Sequence, residues 1–395
     1  MPILIIDPLV STKIFIAIFV LGLLWSLRRK NYAELFPPRL TQELKGLAIL
    51  AVVFSHVGYF LATDHRFLFP LSILAGVGVD LFLFLSGYGL TISALKNKLS
   101  AGKFYYKYFL KLLIPFWLVT FCLLCLDFFW LHLVYTWPYI IRSWFGIFTR
   151  ADLFLDINSP FWFLTPLLFY YLIFPWIFCK QHPWLTAVII YVGSYFVLQL
   201  NLPVSSGVLD LYQLHFLAFP LGVAVAALFS KFGYVKDSLA IKRGFIFAKL
   251  KPLVGLEIIL AKLRTPGVFW QSLKIIKQLA YYAVLIGWLG LIGYLAYHSG
   301  VGKSLGTERL ISLITVGLIV GFFVINKFES KLLVWFGFYA YEIYLIHWPL
   351  MSRYDFLFKW LPGWLAMILY LGLFLALAGG LKKISDKIQR LKILN

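Results

Sequence analysis

Apolar runs of about 16–22 residues recur along the whole chain, and no other feature narrows the fold so strongly. "IPFWLVTFCLLCLDFFW" (114–130) and "ISLITVGLIVGFFVI" (311–325) are two of them. Of the 395 residues, 62% are hydrophobic and only 13% charged, whereas a soluble domain carries roughly a quarter charged residues. The sequence therefore predicts an all-α, polytopic membrane helical bundle. Eleven spans are expected, at 12–27, 44–62, 71–92, 111–131, 161–179, 184–200, 211–230, 279–297, 310–326, 333–351 and 363–381.

The first run has no positive residue ahead of it and Arg28, Arg29 and Lys30 straight after. A cleavable signal has its charge first, so the run reads as a membrane helix with its N-terminus outside. With that start, most of the 36 Lys and Arg fall on or beside the cytoplasmic connections, as the positive-inside rule requires. The C-terminus is then cytoplasmic. The net charge of +20 is explained without a nucleic-acid partner.

Cys122, Cys125 and Cys179 are scattered and make no zinc site; no metal is expected. No internal repeat is visible. Two connections are long. Residues 132–160 are rich in Trp and Tyr and read as interfacial. Residues 231–278 carry ten Lys or Arg against two acids among apolar runs, which suits an amphipathic helix lying on an anionic leaflet. Binding of an anionic cofactor or a partner protein there stays open. The division expected is an extra helix and linker (1–38), a membrane domain (39–381) containing that insertion, and a basic tail (382–395).

Ionisable groups inside spans are costly and mark function by default. They are Lys45 and His56, Asp80, Asp127, and Glu342 with His347; His215 lies near the start of the seventh span. Lys45 and His56 are eleven residues apart, about three turns, so they share a helix face about 16 Å apart along the axis. Lys45 is expected at the cytoplasmic mouth and His56 near the bilayer middle. Asp80 lies in a helix with Gly76, Gly78, Gly87 and Gly89. Small residues allow close helix approach, so Asp80 can be buried against a neighbour. A carboxylate near an imidazole can orient it; whether Asp80 reaches His56 stays open.

Five segments in order carry a family resemblance: "LKGLAILAVVFSHVGYF" (44–60), "GVGVDLFLFLSGYGL" (76–90), "KYFLKLLIPFW" (107–117), "SPFWFLTPLLFYYLIFP" (159–175) and "FGFYAYEIYLIHWPL" (336–350). Together they resemble the acyltransferase-3 family of integral membrane acyltransferases over roughly residues 39–380. There are departures. Lys45 stands where the family has Arg, keeping the charge but not the planar fork. Leu167 stands where many members carry Glu, and Glu342 is a candidate substitute. The first span is additional to the family's ten.

The resemblance implies acyl transfer from acyl-coenzyme A, acetyl-coenzyme A foremost, to a hydroxyl of a cell-envelope saccharide or lipid-linked sugar. That places the protein in a bacterial cytoplasmic membrane, with envelope-polysaccharide biosynthesis partners and no permanently bound cofactor. His56 would be the general base and Asp80 its catalytic companion. Lys45, Lys103, Lys107 and Lys111, with the 28–30 cluster, would meet the donor phosphates, although the positive-inside rule alone also accounts for the lysines at 103–111. His347, Glu342, Trp162 and Tyr344 are candidates for acceptor binding, and His347 also for a second acid–base group or a plain interfacial histidine. The alternative function is a polysaccharide or lipid-sugar translocator.

Overall fold

The structure is a computed structural model describing residues 3–30, 36–62, 65–97, 100–233, 266–299 and 304–391. Its helices are α1 (Pro8–Trp25), α2 (Pro38–Gly58), α3 (Ala75–Lys96), α4 (Leu110–Leu131), α5 (Leu164–Ile177), α6 (Pro183–Gln199), α7 (Ser206–His215), α8 (Ala218–Gly233), α9 (Pro266–His298), α10 (Leu305–Ile325), α11 (Lys331–Phe338), α12 (Ala340–Met351) and α13 (Gly363–Leu391). Proline opens α1, α2, α6 and α9, where its missing N–H costs nothing. Among the described residues, nine helices are long and apolar enough to cross a membrane. The sixth expected span is the 17-residue α6. The tenth is broken at Tyr339, which leaves helical geometry and separates α11 from α12.

Glycine sets the tightest contacts. A Cβ on Gly46 would sit 1.9 Å from the Leu333 carbonyl oxygen, and one on Gly337 would sit 1.7 Å from that of Gln42. The backbones of α2 and α11 therefore touch. Gly87 and Gly222 do the same for α3 and α8, against the carbonyl oxygens of Phe219 and Phe84. The expected role of the α3 glycines holds for Gly78 and Gly87. Gly89 has open space beside it, and Gly76 faces only the His215 ring at 3.9 Å.

The additional helix α1 is built into the bundle. Phe15 is fully buried and meets Phe54 of α2 edge-on at 5.4 Å. Ile3 pairs with the chain beyond α2 through Ile3 N–H to the Phe60 carbonyl (2.6 Å) and Ala62 N–H to the Ile3 carbonyl (2.9 Å). After α1, the strand β1 (Leu27–Arg29) pairs antiparallel with β2 (Phe328–Ser330), a ribbon that the apolar periodicity did not signal. It occupies the cations expected at the donor mouth: Arg28 bonds Glu329 and the Lys30 ammonium bonds the Phe323 carbonyl. The 28–30 cluster is thus structural in large part.

Residues 234–265 of the basic insertion lie outside the described residues, and α9 begins within its last part. α13 runs without interruption from the last span through Leu391, across the expected boundary at 381/382.

Replacing Gly337 by Ala forces α11 off α2. Overpacking of this kind costs about 1–3 kcal/mol. The expected result is a lower melting temperature in detergent, while Gly89→Ala, with open space beside it, leaves the melting temperature unchanged.

Candidate active site

His56 lies in the last turn of α2, closer to the helix end than the 44–60 run implied. Its Nδ1 is 2.7 Å from Nε2 of His347. His347 is completely buried, and its Nδ1 faces the carbonyl oxygens of Ile343 (3.1 Å) and Tyr344 (2.9 Å). A carbonyl only accepts, so His347 Nδ1 carries the proton and Nε2 of the neutral ring is an acceptor. His56 Nδ1 must then be the donor. The lone pair of His56 is left on Nε2, the arrangement a general base needs. Trp348 stands edge-on to His56 at 4.9 Å, and Phe60 packs on the same indole at 4.5 Å. The Trp348 indole thus forms an apolar wall beside half-buried His56.

Pro349 shapes this helix. It has no N–H, so the Leu345 carbonyl loses its helical partner. The Asn158 side-chain amide takes that carbonyl at 2.9 Å. The segment before α5 is thereby tied to α12 two residues from His347. Tyr344 is tied there too, its hydroxyl donating to the Pro160 carbonyl, while its ring lies 6.2 Å from His347.

Asp80 serves a different histidine from the one considered in the sequence. One carboxylate oxygen accepts from His215 Nδ1 at 2.8 Å and the other from the Ser312 hydroxyl. Asp80 is fully buried with these two partners, whereas the ring nitrogen of His56 meets His347, so the expected Asp80–His56 pairing gives way to Asp80–His215. Trp162 stacks on His215 at 5.8 Å and belongs to this second cluster. Leu167 is packed in the apolar core.

The three lysines of the basic stretch share a surface. A π-helix, Tyr105–Phe109, connects a short α-turn (Ala101–Phe104) to α4. Residues four apart drift forward by about 40° on an α-helix, and the wider π-turn offsets that drift. Lys103, Lys107 and Lys111 line one open cavity of about 570 Å³ with Gly102, Tyr106 and Gln389. The far wall comes from α13, where the Tyr106 hydroxyl donates to the Gln389 carbonyl at 3.1 Å. Lys45 lies within electrostatic reach of Lys111, Lys382 and Glu342. Glu342 is therefore at the basic end, paired with Lys382 at 3.3 Å, and not with the aromatic residues expected to meet an acceptor. The contribution of α13 had no sequence signal beyond its charge.

The opposite end is closed by a network that the span pattern marked only as one costly aspartate. The Asp127 carboxylate accepts from Tyr135 (2.6 Å), Tyr354 (2.5 Å) and Arg353. Arg353 also donates to the carbonyls of Phe154 and Asp156. Burial, and then the carboxylate itself, pushes both phenols well above their ordinary range, so they remain donors. The aromatic 132–160 segment is therefore anchored onto the bundle. No cluster suited to a metal ion occurs among the described residues.

Fold and site together define a helical membrane protein with a paired-imidazole centre and a basic cavity at one end. The acyltransferase-3 family model, an acyltransferase domain, matches residues 44–382, and the chain belongs to that family. No curated protein and no solved structure matches it.

Arg353→Met leaves the Asp127 charge buried without its cation. Breaking such a pair costs on the order of 3 kcal/mol. The expected result is a markedly lower melting temperature and protease cutting within 132–160.

Proposed function

We propose that this protein is a membrane-bound O-acyltransferase. It moves an acyl group, acetyl or succinyl, from acyl-coenzyme A to a hydroxyl of a cell-envelope saccharide or lipid-linked sugar. The membrane is the bacterial cytoplasmic membrane, and the basic end of the bundle faces the cytoplasm.

The observation that carries this reading is the 2.7 Å contact of the two imidazoles, with His347 Nδ1 against two backbone carbonyls. An alcohol is a weak nucleophile at neutral pH and needs a base beside it. His56 Nε2 takes the hydroxyl proton as the oxygen attacks the thioester carbonyl. The carbon–sulfur bond then breaks, and the imidazolium returns the proton to the departing thiolate. His347 holds the ring in the required tautomer by accepting from Nδ1–H.

The basic cavity supports the donor assignment. Coenzyme A carries several phosphates, and lysines in a concave surface raise the local concentration of anions. Lys45 and His56 stand about 16 Å apart on one helix face, a separation suited to a long, thin thioester arm running from the phosphates to the base.

His56→Ala lowers turnover about 10²–10⁴-fold in folded protein, and undiminished activity would falsify the mechanism. His347→Ala frees the His56 tautomer and lowers kcat by a smaller factor with little change in KM. Lys103→Ala with Lys107→Ala raises KM for acyl-coenzyme A and leaves kcat close to normal. The assay follows labelled acyl groups into the recovered glycan. Glycan transport with no covalent label points instead to a translocator.

A further inference from the structure

Among the described residues, the Glu342–Lys382 ion pair stands between the basic cavity and the imidazole pair. A second, nearly closed space adjoins the cavity and shares Lys111 and Gln389 with it; Pro115, Glu342, Lys382 and Asp386 are among its other walls. Its volume is about 10 Å³, barely enough for one water. Glu342 is five residues before His347 on α12, about 7.5 Å along the axis. Glu342 thus lies along α12 between the lysine-lined cavity and His347.

The charges here are unbalanced. The Glu342 carboxylate is buried and bonded to Lys382, with Lys45 and Lys111 also close. Lys111 and Lys382 thus line this space with Glu342 and Asp386, Lys45 adds a third ammonium within electrostatic reach of Glu342, and Asp386 makes no ion pair among the described residues. In the closed arrangement Glu342 occupies the place of an anion. Lys382 has the same chemistry as the lysines of the open cavity, and it lies one step further in.

We propose that the Glu342–Lys382 ion pair is a gate opened by the phosphates of the donor. This rests on the acyl-coenzyme A reading above. Phosphates first meet Lys103, Lys107 and Lys111, and Lys382 then exchanges Glu342 for a phosphate oxygen. Release of Glu342 opens the constriction towards His347. Coenzyme A therefore competes with an internal carboxylate, and a donor lacking the nucleotide phosphates cannot open the path.

The test is equilibrium binding of coenzyme A and of pantetheine to the purified full chain in lipid nanodiscs. With the competing carboxylate removed, Glu342→Gln binds coenzyme A about tenfold more tightly, the equivalent of one charge-assisted hydrogen bond. Pantetheine binding is unchanged. Lys382→Met weakens coenzyme A binding, and Asp386→Asn alters it much less than Glu342→Gln does. Melting temperatures of all three variants identify any loss caused by misfolding.

Unchanged or weaker coenzyme A binding by folded Glu342→Gln overturns the gate while leaving the acyl-coenzyme A reading in place. Equal tightening by Asp386→Asn also overturns it, since general charge then explains the effect. Absence of coenzyme A binding to wild type and to Glu342→Gln overturns both readings together.

Discussion

Backbone contact between α2 and α11 is the constraint on which the site depends. Gly46 and Gly337 have no side chains to separate the two helices, and the carbonyls of Leu333 and Gln42 fill the space a Cβ would take. The chain then leaves helical geometry at Tyr339 and restarts as α12. That re-aimed helix carries His347 to within 2.7 Å of His56. Two imidazoles 291 residues apart in the chain meet where α12 follows α11, the helix whose backbone two glycines allow to touch α2.

Once the rings meet, the backbone decides their chemistry. The carbonyls of Ile343 and Tyr344 admit one tautomer of His347, and His347 in turn admits one of His56. Trp348, itself packed by Phe60, stands edge-on against the His56 ring. The two ends of the bundle differ in kind. At one end, lysines from the short α-turn, the π-helix and the start of α4 line a cavity, with Gln389 of α13 on its far wall. At the other, a buried carboxylate and an arginine fasten an aromatic segment over the helices.

The helical membrane architecture was legible from the lengths of the apolar runs, since the nine long helices and α6 all fall on them. His56 and His347 stood out because an ionisable group in an apolar helix needs a reason to be there. Their partnership did not, because no pattern within one helix reports what the next helix presents. Asp80 shows the same limit. It was visible as a buried carboxylate in a glycine-rich helix, yet its partners are His215 and Ser312 from helices far along the chain. Arg28 and Lys30 read as a mouth-lining cluster until β1 paired with β2 and used them.

The sequence alone determined what is local or periodic: the helices, the three-turn spacing of Lys45 and His56, the basic run at 103–111, and the family. Hydrophobicity and helical period act over a few turns, so one chain read in order displays them. Tertiary structure decided which ionisable groups meet. It set Glu342 against Lys382, gave Asp80 to His215, and brought α13 to the lysine cavity. Those pairings depend on angstrom-scale helix approach and on backbone carbonyls freed by a proline or a helix break. Such geometry exists only once the helices have packed.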